Sequence, residues 1–274
     1  MNYIELNIPC SDEMAEILTA ELAEFPFDSF SSDQDTLKAY IPHERLADCH
    51  ASVEQMLAGY GISGQRYIAI ETQNWNALWE SNFPPVEVDE MVAIRAPFHA
   101  PYPNYRFDIV ITPKMSFGTG HHATTFLMSR ATATRDFTGK RVLDMGSGTG
   151  VLAIIAAKCG ATSVDAVDID DWAYENCIEN CAVNGVADCV TAILGDVRAI
   201  SGKHYDTILA NINRNILLGD MPAYYETLSE GGELIMSGIL ESDIDTIRTR
   251  AEQLGMSYVG CDLKDGWASV VVKK

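Results

Sequence analysis

Asp144-Met145-Gly146-Ser147-Gly148-Thr149-Gly150 sets three glycines at alternate positions behind an acid, after a short apolar run and at the head of a helical one. Glycine lets a backbone approach a ligand with no Cβ in the way, and a strand–loop–helix context is what makes such a loop a nucleotide site. The dinucleotide fingerprint spaces its third glycine one residue further on. Asp168-Ile169-Asp170 ends a second apolar run, 22 residues after Gly146. The Asp168 carboxylate there can accept both hydrogen bonds of a ribose diol, whereas Asp170 is open to a second reading as a helix cap. Gly195-Asp196 closes a third run, where a carboxylate can take an exocyclic adenine amine. Three carboxylates around one pocket, Asp144, Asp168 and Asp196, suit a sulfonium cofactor and repel a pyrophosphate, which argues against nicotinamide or flavin chemistry.

Asn211 ends the next strand of that edge. Beside a transferable methyl group its amide oxygen can accept an N–H from an incoming amine and point the lone pair inward. Asn211-Ile212-Asn213-Arg214 lacks the Pro-Pro-aromatic sequence with which amide and adenine methyltransferases hold a planar nitrogen, so an aliphatic amine is expected. Asn213 either assists or caps the following helix. Upstream, Phe117-Gly118-Thr119-Gly120 reads either as a linker tip or as a loop closing over the cofactor with its glycines as hinges. On the second reading Phe117 joins Asn211 as a catalytic candidate.

These residues need strand ends to hold them. From Lys140 onward, predicted strands at 141–145, 163–168, 190–194, 205–210 and 233–238 alternate with helices at 151–159, 172–184, 216–228 and 242–254. That order makes a mostly parallel sheet with helices on both faces. The chain then departs from it: 257–261 and 267–272 flank Lys264-Asp265-Gly266 and predict an antiparallel hairpin. The fold class expected is α/β, a Rossmann-like seven-stranded sheet of the methyltransferase variant. Residues 1–71 predict β-α-β-β-α-β, the split order of a small ferredoxin-like α+β domain. Residues 72–113 hold six of the ten prolines together with Trp75 and Trp79, and read as a connector with local strands. The second domain is then 114–274.

The 274 residues carry a formal charge of −20, half of it within residues 1–71, where thirteen acids face Lys38, Arg45 and Arg66. Such a field repels phosphate backbones and attracts basic partners; direct nucleic-acid binding is not expected. The acidic first domain is either a solvated surface or a docking face. Seven scattered cysteines without a Cys-x-x-Cys pair read as reduced thiols, with no metal site expected from Cys177 and Cys181 or from His121-His122. With no signal-like start and no run of 18 apolar residues, a cytoplasmic protein without membrane contact is expected.

Met115-Ser116-Phe117-Gly118-Thr119-Gly120-His121-His122-Ala123-Thr124-Thr125, taken with Asp144–Gly150 and Ala210-Asn211-Ile212, resembles the ribosomal protein L-eleven methyltransferase family. Ser116, His121 and Ala123 depart from that family's alanine, threonine and proline. The Trp75…Trp79…Phe83-Pro84 connector and the split N-terminal domain extend the resemblance over the chain, most weakly before residue 70. The resemblance implies S-adenosyl-L-methionine as cofactor, with Thr125, Gly146, Asp168 and Asn211 binding it. Gly148, Gly150, Asp144 and Asp196 join them on the spacing argument. It further implies a substrate-recognising first domain and a basic large-subunit ribosomal protein methylated on its α-amino and lysine amines by a monomer. The alternatives are an RNA or other-protein methyltransferase and a non-catalytic cofactor-binding regulator.

Overall fold

The computed structural model describes residues 3–33, 35–70, 84–113 and 122–274. The chain divides into two units, Met1–Asn82 and Phe83–Lys274.

In the first, β1 (Tyr3–Pro9), β2 (Ser29–Asp33), β3 (Thr36–Pro42) and β4 (Arg66–Ile70) form an antiparallel sheet in the order β2-β3-β1-β4. Alternation along β1 and β3 turns Ile4, Leu6, Ile8, Leu37, Ala39 and Ile41 to one face, as a sheet covered on one side requires. Helices α1 (Asp12–Leu22) and α2 (His43–Gly59) cover that face with stripes Ala15-Leu18-Leu22 and Cys49-Val53-Leu57, each at helical spacing. Ser11 caps α1, accepting the Met14 N–H. The order β-α-β-β-α-β with this sheet is the ferredoxin-like arrangement expected.

The second unit is built on seven strands in the order β10-β9-β8-β11-β12-β14-β13. They are β8 (Arg141–Met145), β9 (Ser163–Asp168), β10 (Val190–Leu194), β11 (Tyr205–Asn211), β12 (Leu228–Leu240), β13 (Ser257–Lys264) and β14 (Trp267–Lys273). The first five in chain order run parallel, and the closing hairpin is antiparallel. One face packs against α3 (Ala123–Ala133), α4 (Val151–Lys158) and α5 (Asp171–Val183), the other against α6 (Arg214–Thr227) and α7 (Ile244–Gln253). From β8 the order runs to β9 on one side and to β11 on the other, which opens a crevice at the carboxyl ends of the strands, where open α/β sheets bind ligands.

Two elements differ from the expected layout. Helix α3 was not anticipated, because almost every side chain in it is buried, Thr124, Thr125, Ser129 and Thr132 included. A helix covered on all sides carries no polar face and hence no amphipathic period. Within the expected connector, β5 (Val86–Val88), β6 (Val92–Arg95) and β7 (Phe107–Val110) form a sheet. Its Val88, Val92, Ile94, Phe107 and Ile109 belong to the core of the second unit. Pro97, Pro101 and Pro103 fall in the loop between β6 and β7, where a missing N–H costs nothing. Trp75, Trp79 and Phe83 lie outside the described residues. No described helix is long and apolar enough to cross a membrane.

Candidate active site

Each glycine of the loop adopts a left-handed φ: +71° at Gly146, +53° at Gly148 and +78° at Gly150. A side chain would be strained at all three. The loop's amides are spent internally. Gly146 and Ser147 N–H donate to the Val167 carbonyl at 2.8 and 3.1 Å, and Gly150 N–H donates to the Ser147 carbonyl at 2.8 Å. Gly148 N–H donates to Asp168 Oδ2 at 2.8 Å. A phosphate-binding loop turns such donors toward its anion; this one leaves none of these four to offer.

Above the loop opens a cavity of about 780 Å³, a size suited to a small-molecule cofactor. Its wall includes Thr125, Gly146, Gly148, Asp168, Asp196 and Asn211, six of the residues expected from the sequence. Each comes from the carboxyl end of a strand or from α3. No lysine or arginine is among the described lining residues, whereas Asp168, Asp196 and Asp220 all are. The field is therefore negative, favourable to a cation and adverse to a pyrophosphate.

Three atoms of the wall lack a hydrogen-bond partner among the described residues: Thr125 Oγ1, Ser147 Oγ and Asn211 Oδ1, all buried. Native structures satisfy nearly all such groups, so three orphans on one cavity wall fit a ligand that supplies donors, as the ammonium and hydroxyls of S-adenosylmethionine would. Asn211 is held through its neighbour. A Cβ on Gly146 would stand 2.2 Å from Ile212 Cγ2, and one on Gly238 would stand 2.2 Å from the Ile212 carbonyl oxygen. Two glycines, from the strands on either side of β11, thus make the slot that Ile212 occupies.

Three expected residues are engaged elsewhere, and a fourth lies outside the described residues. Asp144 lies behind the loop, fully buried and off the cavity wall; its Oδ2 accepts the Ala153 N–H at 3.0 Å in the first turn of α4. Burial pushes its carboxyl up to about 7, with the Asp168 charge adding and the Ala153 N–H opposing. Gly150 also faces away from the cavity: its missing Cβ makes room for Cys177, whose Sγ would be 2.6 Å from it. Asp196 reaches the wall, yet its carboxylate is gripped by Arg198, with Nε at 2.9 and 3.0 Å from its two oxygens. This bond holds its carboxyl below the ordinary range. Phe117 lies outside the described residues. Of the two ambiguous residues, Asp170 caps α5 through the Trp172 N–H at 2.8 Å, and Asn213 caps α6 through Asn215 and Ile216 N–H.

Sequence reasoning missed three wall residues. Asp220 stands one turn after Ile216 on α6, and burial raises its carboxyl above the usual range. His122 and Trp267 meet edge to face with ring centroids 4.6 Å apart, the first capping α3 and the second opening β14. Trp267 follows the Lys264-Asp265-Gly266 turn directly, the one local signal that pointed to the sheet end.

Asp144 carries a pH prediction. Its folded pKa is raised above the unfolded value, so its contribution is present at low pH and is lost as pH rises from about 4 to about 7. D144N keeps an acceptor for Ala153 and cannot ionise. Urea unfolding of both proteins is expected to show D144N gaining on the wild type across that window, with a constant gap above it. A gap that does not change with pH would refute the assignment.

Comparison with known proteins agrees with this geometry. A sequence profile for the family described as ribosomal protein L11 methyltransferase (PrmA) matches residues 7–274. The ribosomal protein L11 methyltransferase of Porphyromonas gingivalis is 42% identical over 261 residues, spanning 93% of this chain and 89% of that protein. That of Phocaeicola vulgatus is 39% identical over 279 residues, spanning 98% of both. The crystal structure of a ribosomal protein L11 methylase from Lactobacillus delbrueckii superposes with a TM-score of 0.62 at 27% identity, covering 69% of this chain and 97% of that one. By this profile and these identities, the chain belongs to the ribosomal protein L11 methyltransferase (PrmA) family.

Proposed function

We propose that the chain is an S-adenosyl-L-methionine-dependent N-methyltransferase acting on α-amino and lysine ε-amino groups of ribosomal protein L11. The observation that carries this is the set of unpartnered buried oxygens, Thr125 Oγ1, Ser147 Oγ and Asn211 Oδ1, on a wall whose charged groups are all carboxylates. When bound, S-adenosylmethionine supplies an electrophilic methyl on a sulfonium. Asp168 has a lone pair left on each oxygen, beyond those held by Gly148 and Asp170 N–H, to accept ribose hydroxyls. Gly146 and Gly148 let the backbone lie close, while Asn211 accepts an N–H of the incoming amine and turns its lone pair toward the methyl.

Neutrality at Asn211 matters. Deprotonating a lysine at pH 7 costs about 4–5 kcal/mol, and an α-amino group about 1 kcal/mol. A carboxylate at the transfer point would raise that cost by stabilising the ammonium. The acidic wall attracts the cationic amine, and the neutral amide receives it. Orientation can recover about 7–11 kcal/mol, enough to outweigh the proton's removal to solvent.

In this reading the ferredoxin-like unit within residues 1–71 recognises the substrate, and the second unit, whose core takes in β5–β7 of the expected connector, carries out transfer. The protein acts as a monomer in the cytoplasm on a basic protein partner, without direct nucleic-acid binding. The test is intact-mass analysis of purified large-subunit ribosomal proteins after incubation with enzyme and S-adenosylmethionine, with N211A alongside. Successive one-methyl steps on one small basic protein, suppressed in N211A, are expected. No steps on any ribosomal protein, from an enzyme that binds S-adenosylhomocysteine, would overturn the substrate assignment.

A further inference from the structure

Helix α5 carries Asn176 and Asn180 on one face, both fully buried, and ends in Asn184, the three spaced four apart. Asn184 treats β7 as a neighbouring strand would: its Oδ1 accepts the Val110 N–H at 3.0 Å, and its Nδ2 donates to the Val110 carbonyl at 2.7 Å. Asn180 makes the next rung and adds something Asn184 does not. Its Oδ1 accepts the Thr112 N–H at 2.9 Å, and its Nδ2 donates to Asn176 Oδ1 at 2.7 Å and to the Thr149 carbonyl at 2.9 Å. Both Nδ2 protons are used, so the side chain has one orientation only.

Thr149 stands between Gly148 and Gly150, and the peptide joining it to Gly150 is held at both ends. Its carbonyl is fixed by Asn180, its N–H by the Ser147 carbonyl at 2.8 Å. On its Gly150 side, where φ is +78°, no side chain restricts that peptide's orientation. The hydrogen bonds must fix it.

We propose that Asn180 is a positioning residue for the cofactor loop, clamping the Thr149–Gly150 peptide and joining the loop to the end of β7 as one hydrogen-bonded unit. The proposal rests on the reading of Gly146–Gly150 as the cofactor cradle. Beyond satisfying buried backbone, Asn180 fixes the plane from which Gly148 faces the cavity. Asn184 satisfies the same strand without touching the loop, so it separates the two roles.

N180D keeps the acceptor for Thr112 but removes both donors and faces a carboxylate toward the Thr149 carbonyl. Its Kd for S-adenosylhomocysteine, by titration calorimetry, is expected to rise about tenfold or more, the consequence of an unmatched buried carbonyl. KM for S-adenosylmethionine should rise with it while kcat at saturation is largely kept. N184D should lower the thermal midpoint comparably and leave Kd within about twofold, as a rung that does not contact the loop. Wild-type affinity in N180D, or equal weakening in N184D, would overturn the proposal. If N180D does not fold, amide exchange in the wild type decides. S-adenosylhomocysteine should slow exchange at Thr112 more than at Val110, and no change at Thr112 overturns the proposal. D168A is the control for the underlying reading: undiminished binding there removes the cradle assignment itself, whereas lost binding in D168A with intact binding in N180D removes the Asn180 role alone.

Discussion

N211A is expected to lower kcat by about a hundredfold, roughly 2.7 kcal/mol at 1.36 kcal/mol per tenfold, the usual scale for removing one preorganised polar group from a reacting centre. Cofactor affinity should fall much less, by about tenfold at most, because Asn211 is one of several groups on the wall and one uncompensated hydrogen bond is worth about 1 kcal/mol. The comparator is N211D, which keeps size and acceptor but adds charge. A carboxylate beside the amine raises the amine's pKa, so the pH–rate profile of N211D should move to higher pH, with activity recovering as the ammonium titrates. Steady-state kinetics on a lysine-containing substrate, with calorimetry on S-adenosylhomocysteine, separates the two effects. If N211A loses affinity in proportion to rate, Asn211 holds only the cofactor; if N211D shows the wild-type profile, the amide does not meet the amine.

G238A is expected to be among the most damaging single changes in the second unit. Gly238 sits at φ +86° in β12, and an added Cβ would lie 2.2 Å from the Ile212 carbonyl oxygen and 2.7 Å from its carbonyl carbon. Both are backbone atoms and cannot rotate away. The left-handed φ costs about 1–2 kcal/mol for a non-glycine residue, and the forced displacement adds about 1–3 kcal/mol of overpacking. A loss of roughly 3 kcal/mol corresponds to a fall in midpoint of about 6–12 °C for a unit of this size. Whatever moves Ile212 also moves Asn211, so residual activity should fall more steeply than the folded fraction. Differential scanning fluorimetry and kinetics at a temperature where the variant is folded test both. A variant within about 2 °C of the wild type would show that the Ile212 slot has slack.

The residues that were legible from sequence share a property: each ends a strand or follows directly after one. Asp168, Asp196 and Asn211 close apolar runs whose length and β-branched content predict strands, and parallel strands bring their carboxyl ends to one edge. The loop after β8 was legible for the same reason. What the sequence did not show is which way each residue faces. Asp144 and Gly150 lie in the same seven-residue motif as Gly146 and Gly148, but turn inward to α4 and Cys177. Spacing fixes the path of a loop and leaves open which of its residues carry the ligand and which carry the loop. Thr125 was legible only through resemblance, because α3 has no polar face to betray it. Asp220 and Trp267 were missed because α6 and the hairpin reach the site by tertiary packing, which no local pattern encodes. The ferredoxin-like unit, by contrast, followed from local signals: the Ser11 cap, the Asp33-Gln34-Asp35 turn and the stop at Gly59 and Gly61 between short strands.

The sign of the cavity also bears on turnover. Its carboxylates face a donor that enters with a fixed positive charge on sulfur, and transfer of the methyl leaves that sulfur neutral. Attraction present before the reaction is therefore withdrawn by the reaction itself. Among its described residues the wall has no lysine or arginine to compensate by holding the spent form through its remaining anionic group. Exchange of spent for fresh donor is thus biased electrostatically at each cycle.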